Sequence, residues 1–338
     1  MKKNVLVLTL TLPIVCILIA ICAGRYAVSP LEMVQTLLIK IGLGGGMVPP
    51  SPEAQGVFWQ IRLPRVVLAF TVGSALSVSG AVFQALFRNP LASPDLLGVT
   101  AGASFGAVLG LMFFPPLSLA VKFSSFLFGV AAVFCVHILA AKSRDRSTAV
   151  LILGGIIVSS VFQAGVSVLK YLADPYDKLV QIVFWLMGSF QTATWDSVWS
   201  VFLVTTIGTA LIAAFSWRLN IMSQDDEQAL SLGVDVVKWR IIYVAITTLM
   251  VAVCVSACGA IGWVGLVVPH MARSLVGSEH RILIFTSAFL GASLMLLMDT
   301  LARSLLSSEI PISIVTSLLG APFLGYLVLR QRKGWVGK

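Results

Sequence analysis

The feature that most constrains this chain is a series of apolar runs, most of them close to the ~20 residues an α-helix needs to cross the hydrocarbon core of a bilayer. They fall at about 4–23, 63–86, 96–114, 117–141, 148–170, 195–217, 240–260, 262–275, 282–302 and 311–330, with polar or Gly/Pro breaks between them. A backbone in hydrocarbon must satisfy its own hydrogen bonds, so such runs fold as helices. The expectation is an all-α integral membrane protein of about ten transmembrane helices, one domain over 1–338. Hydrophobic residues make up 58% of the sequence and charged residues 11%, too few polar groups to surface a soluble fold. The run at 262–275 is short for a full span, which suggests a helix half-buried in the bundle or tilted with its neighbour.

The opening MKKNVLVLTLTLPIVCILIAICAG has the charged start of a signal peptide, but its apolar body is long enough to span and further spans follow. It reads as a retained first helix. With the N-terminus inside, fifteen of the 23 Lys and Arg fall on the inner side, Lys2, Lys3, Arg88, Arg144, Arg146, Arg240, Arg273 and Arg281 among them. The positive-inside rule then places both termini on the cytoplasmic side of the membrane. The net charge of +9 is thus mostly a topology signal. It offers no basic, aromatic-interleaved soluble face for nucleic acid. Of the longer outer loops, 24–61 is flexible at its Gly/Pro centre, and 171–194 is apolar enough for a short interfacial helix with Trp185 at the headgroups.

Catalytic chemistry has little to stand on. The sequence holds no GxxxxGK[ST] loop, so ATP hydrolysis by that mechanism belongs to a separate subunit. Its five cysteines lack zinc or redox spacing, and His137, His270 and His280 lie in separate segments. An intramembrane hydrolase has no nucleophile and base here, and a secondary carrier would need more intramembrane ionisable groups than Asp299. Asp299 stands four residues before Arg303, which suggests a local i, i+4 pair. Gly102, Gly106 and Gly110 recur every fourth residue, a stripe for close helix packing. Asp225, Asp226 and Glu227 precede a short helical run that Gly233 ends, the longest polar stretch between spans, within the 218–240 loop.

Four blocks carry more than bilayer physics requires: RLPRVVLAFTVGSALSVSGAVFQALFRNPLASPDLLGVTAG from Arg62, QALSLGVDVVKWR from Gln228, CGAIGWVGLVVPHMARSLVGSEHR from Cys258, and DTLARSLLSSEIPISIVTSLLGAPFLGYLVLR from Asp299. In order and spacing they resemble the permease subunits of the type II ATP-binding-cassette importers that carry iron-siderophores, haem and cobalamin. Two departures, Ser93 where an acid is common and Trp263 where a smaller aromatic is common, leave the pattern intact.

The resemblance implies a BtuC-like permease bundle and a machine of two permease chains, identical or sister, with two ATPase subunits holding ATP and Mg2+ and an extracytoplasmic binding protein. No cofactor is implied for this chain. It further implies that Arg62, Arg65 and Arg303 dock glutamates of the binding protein, as guanidinium suits carboxylate. Ala229, Leu230, Leu232 and Gly233 match the coupling helix that seats in the ATPase, within the 218–240 loop. Asn89 and Leu91 in one turn, with Ser147 and Thr148 in another, match the cytoplasmic gate, and the PHxxR block with His270 and Arg273 lies toward the ATPase. Family frequency favours a ferric siderophore as cargo, with haem, cobalamin or molybdate/tungstate as alternatives.

Overall fold

Polar capping residues stand at the starts of the apolar runs, and this punctuation sets the helices. In the computed structural model, which describes residues 3–24, 29–40, 42–45, 47–143 and 148–335, the long spans are α1 (Lys3–Cys22), α4 (Leu63–Leu86), α6 (Leu119–Lys142), α7 (Thr148–Leu172), α9 (Trp195–Ala214), α12 (Val236–Cys258) and α14 (His280–Ser304). Three shorter apolar helices, α5 (Val99–Phe113), α13 (Val264–Val276) and α15 (Ile312–Trp335), fall on the other three anticipated runs, so seven of the ten are long and apolar enough to cross a membrane among the described residues. Ser118 caps α6, Thr194 caps α9, Asp235 caps α12 and Glu279 caps α14, each side chain accepting a backbone N–H of the first turn. Gly259 and Gly277, both in the left-handed region, close α12 and α13.

Small connecting helices fill the breaks: α2 (Pro30–Lys40), α3 (Pro52–Gly56), α8 (Lys178–Leu186), α10 (Ser216–Met222) and α11 (Asp226–Ser231). The 24–61 segment is therefore not simply a flexible loop. Ser29 and Glu32 form a reciprocal capping box that starts α2, with N–H to carboxylate at 2.8 Å and N–H to hydroxyl at 3.2 Å. Ser51 caps α3 with Pro52 at its first position, and a π turn over Val57–Arg62 leads into α4. In 171–194 the anticipated helix forms as α8, but Trp185 is half-buried and packs against the core.

The centre of the bundle is α4, flanked by α12, α13 and α14. Of α4's spanning window 83% is buried, against 22–33% for α1, α6, α7 and α9, which turn apolar faces outward. Close approach at the centre depends on glycine. A methyl on Gly73 or Gly80 would collide with the backbone of Gly291 or Gly265 on the facing helix. The Gly102, Gly106 and Gly110 stripe works the same way, seating α5 against the backbone of α6 at Phe128, Ser124 and Val121. The short α13 is packed on α4, α14 and α15 and buries Val264, Val267, Val268 and Ala272, which agrees with a half-buried helix.

Candidate docking, coupling and gate sites

At one end of the bundle, the C-terminus of α4, the N-terminus of α14 and the loop between α9 and α12 come together. Asp226, in the first turn of α11, accepts from Arg88, just beyond α4, and from Arg240 of α12 at 3.3 Å. Arg88 adopts a left-handed backbone (φ 50°) that non-glycine residues rarely take, and its guanidinium also donates to the Met222 carbonyl at 3.3 Å. One carboxylate thus ties the post-α4 turn, α11 and α12 together.

Within this frame α11 has a buried and an exposed side. Ala229 is fully buried, whereas Leu230 and Leu232 are 60% and 62% exposed. Gly233, with φ 79°, turns the chain back so that Val234 N–H reaches the Ala229 carbonyl at 3.0 Å. The four residues matched to the coupling helix therefore fall into an anchor, two projecting leucines and the glycine that closes the turn.

Asn89 folds its own turn, its side-chain carbonyl accepting the Leu91 N–H at 2.9 Å, and Leu91 is exposed. The following 3-10 turn, Pro94–Leu97, rests on α7 where a methyl on Gly155 would strike the Leu96 carbonyl. Thr148 begins α7. Ser147, the remaining gate candidate, lies outside the described residues, as do Lys2, Arg144 and Arg146 of the charge census.

Two groups at this end escape a reading by motif. Gln84 donates to the Leu266 carbonyl at 3.0 Å and accepts from Arg273 at 3.1 Å, linking α4 to the PHxxR segment of α13. Its sequence signal is an amide inside an otherwise apolar run. Asn220 of α10 accepts from the His280 backbone N–H at 2.8 Å and donates to Glu279 at 3.3 Å, joining α10 to α14. Glu279 also accepts the N–H groups of Arg281 and Ile282, both at 3.0 Å. Partial burial pushes the Glu279 carboxyl up, but these N–H groups outweigh it and hold the group below its ordinary value.

At the opposite end all three arginines singled out for docking are buried and engaged within the chain. Arg62 donates to the Ile21 and Cys22 carbonyls at 2.8 and 3.3 Å. Arg303 donates to the Ala23 carbonyl at 2.8 Å and to that of Ala20. These are the last carbonyls of α1, where the helix dipole is negative, so two guanidiniums cap one helix C-terminus. Arg65 grips Asp299 through Nε and Nη2 at 3.0 and 2.8 Å and donates to Glu309 at 3.0 Å. The i, i+4 pair of Asp299 with Arg303 forms at 3.6 Å, so Asp299 belongs first to Arg65. Among the described residues no group of three or more His, Cys, Asp or Glu side chains is placed to hold a metal ion.

A helical bundle with seven helices among the described residues long and apolar enough to cross a membrane, a leucine-bearing acidic knob at one end and an arginine–carboxylate cluster at the other fits a membrane transport protein. The profile of the FecCD transport family matches residues 11–330, and the chain belongs to that family. It is 42% identical over 328 residues to the molybdate import system permease protein MolB of Haemophilus influenzae, covering 97% of this chain and 95% of the relative. It is 38% identical to the cobalamin import system permease protein BtuC of Halobacterium salinarum, covering 83% and 76%. To the iron(3+)-hydroxamate import system permease protein FhuG of Bacillus subtilis it is 36% identical, covering 96% of each. A solved structure described as an inward-facing conformation of a metal-chelate type ABC transporter superposes with a TM-score of 0.86 at 39% identity, covering 98% of this chain and all of that one. The family the four sequence blocks pointed to is the one matched, and the fold is its permease bundle.

Proposed function

We propose that this chain is the permease subunit of an ATP-binding-cassette importer whose cargo is a molybdate-class oxyanion. The observation that carries the cargo is the 42% identity, spread over nearly the whole chain, to a molybdate permease. This departs from the ferric siderophore that family frequency favours. An iron chelate is the second reading, supported by the 36% identity to a hydroxamate permease and the likeness to a metal-chelate transporter.

In this reading the α11 end is cytoplasmic. Leu230 and Leu232 enter a groove of a separate ATPase that holds ATP and Mg2+, while Ala229 and the Asp226 bridge transmit its movement to α4 and α12. A second permease chain completes the route, and Asn89 and Leu91, together with Ser147 and Thr148, close its cytoplasmic side. A binding protein delivers cargo at the Arg62, Arg65 and Arg303 end. Because those arginines are already engaged, docking proceeds by exchange: an incoming carboxylate takes the place of Glu309 on Arg65. Access then alternates because ATP and binding protein stabilise different states of one bundle.

The test is whole-cell uptake of labelled molybdate, ferric siderophores, haem and cobalamin in a host lacking its own such permeases and supplied with the genomic ATPase and binding protein. Molybdate accumulation that an inactive ATPase abolishes supports the reading. Accumulation of a siderophore instead replaces the cargo and keeps the machine.

A further inference from the structure

A groove of about 720 Å3 runs down the flank of the bundle between α4, α9 and α14. Its walls are aromatic: Phe70 from α4, Phe202 from α9, and Phe285 and Phe289 from α14. Phe289 stands edge-on to Phe70 at 6.5 Å and against Phe285 at 4.7 Å, so three of these rings pack as one wall. Ala210, Ala213 and Ala288 leave open the space that larger side chains would fill. Of the hydroxyls that line it, those of Thr71 and Thr205 donate to the Val67 and Val201 carbonyls of their own helices, both at 2.7 Å. The lining is therefore mostly apolar, and its outer edge, with Phe202, Ala210, Ala213 and Phe285 exposed, opens away from the core.

The groove occupies one half of the membrane's depth. It begins near the middle of α4 at Ser74 and of α9 at Phe202, descends toward the α11 end, and stops at Ala213 and Arg281. From Phe202 to Ala213 the helix rises about 16 Å, and from Arg281 to Phe289 about 12 Å. Half of a bilayer's hydrocarbon core is about 15 Å, so the trough is one leaflet deep. Arg281 stands at its mouth, exposed, in the first turn of α14. Among the described residues its guanidinium has no hydrogen-bond or ion-pair partner. The nearest acid in the sequence, Glu279, does not neutralise it. That carboxylate accepts the backbone N–H groups of Arg281 and Ile282 and the Asn220 amide.

An apolar trough one leaflet deep, with an uncompensated cation where the headgroups begin, asks for an occupant with an acyl chain below and a negative charge above. A neighbouring protein helix would fill the trough but leave Arg281 unpaired unless it brought an acid of its own. A lipid without phosphate would leave the guanidinium bare, and phosphatidylethanolamine brings an ammonium to the same place. We propose that the groove seats an anionic phospholipid of the leaflet on the α11 side, one acyl chain lying along Phe202, Ala210, Phe285 and Ala288 and the phosphate paired with Arg281. Guanidinium suits phosphate because it donates two parallel hydrogen bonds, and basic residues at this level of a membrane attract anionic lipid. The seat adjoins the Asn220–Glu279 joint between α10 and α14, so the bound lipid braces the end of the bundle that carries α11. The inference needs only the membrane setting, and neither cargo nor ATPase enters it.

The test is native mass spectrometry of the full-length protein, extracted in mild detergent and supplied with phosphatidylglycerol, phosphatidylethanolamine or diacylglycerol. One phosphatidylglycerol should stay on each chain under conditions that strip the other two. Arg281→Gln should weaken its retention about fivefold or more, the worth of one basic residue at a lipid surface. Lys142→Gln, an exposed cation at the same end of the bundle on α6, should leave retention unchanged. Ala210→Trp, which plugs the trough and leaves Arg281 in place, should also release the lipid. Phosphatidylglycerol with a diazirine on its acyl chain should label α9 between Phe202 and Ala213 and α14 between Arg281 and Phe289. Retention that ignores both Arg281→Gln and Ala210→Trp, or that treats phosphatidylethanolamine alike, overturns the proposal, as does labelling confined to other helices. A second protein chain held in place of lipid and released by Ala210→Trp overturns it in favour of a protein partner. None of these readouts involves transport, so failed uptake and failed lipid retention are separate results.

Discussion

At the residue scale the most consequential contact is that of Arg65 with Asp299. Sequence spacing pairs Asp299 with its neighbour Arg303, but the fold gives it to an arginine 234 positions away. No local pattern reveals such a partner, because it exists only once α4 and α14 lie side by side. Both side chains are almost wholly buried, so removing one strands a charge in a low-dielectric setting. Arg65→Ala should therefore destabilise the detergent-solubilised protein by about 3–5 kcal/mol. Arg65→Met combined with Asp299→Leu should recover much of that loss, read as the thermal unfolding midpoint. Glu309→Gln should behave differently, keeping a hydrogen bond to Arg65 while dropping a charge. It should preserve stability and strengthen binding-protein association if docking is an exchange on Arg65; weaker or unchanged association would count against exchange.

Among the helices, the knob at α11 separates folding from coupling. Leu230 and Leu232 are exposed, so Leu230→Asp with Leu232→Asp should leave stability within about 0.5 kcal/mol while abolishing co-purification with the ATPase. A stable variant that still holds the ATPase and transports would remove α11 from that role. The helix α5 offers the converse case, where packing is everything. Gly106→Val drives a branched side chain into the Ser124 carbonyl and Phe128, and should cost about 3 kcal/mol or more with loss of expression. At the head of α14, Glu279 has a carboxyl held below its usual 4.5. Its contribution is full above the unfolded value and is lost as pH falls through the lower folded value. Acidification below about pH 4.5 should therefore loosen the wild-type protein more than Glu279→Gln, measured as the difference in their unfolding midpoints.

Across the whole molecule, the bundle is legible in the sequence because a membrane allows so few solutions: each apolar run had to be a helix, and the ten boundaries agree with the observed helices to within a few residues. The connecting helices α2 and α3 were less visible. Their capping signals, Ser29 with Glu32 and Ser51 with Pro52, sit beside a Gly/Pro stretch that outweighs them in any local reading. At the candidate sites the motifs single out residues, but the state of those residues was not readable. Burial of Arg62, Arg65 and Arg303, and the bridging of Arg88 and Arg240 by Asp226, depend on contacts between distant segments. The most direct test of the account is transport into proteoliposomes that contain this chain with its ATPase, ATP enclosed on the α11 side and molybdate-loaded binding protein on the other. The account predicts molybdate accumulation that requires hydrolysable ATP and stops when Leu230 and Leu232 are replaced by aspartate. Accumulation that proceeds without ATP on an imposed ion gradient would contradict it.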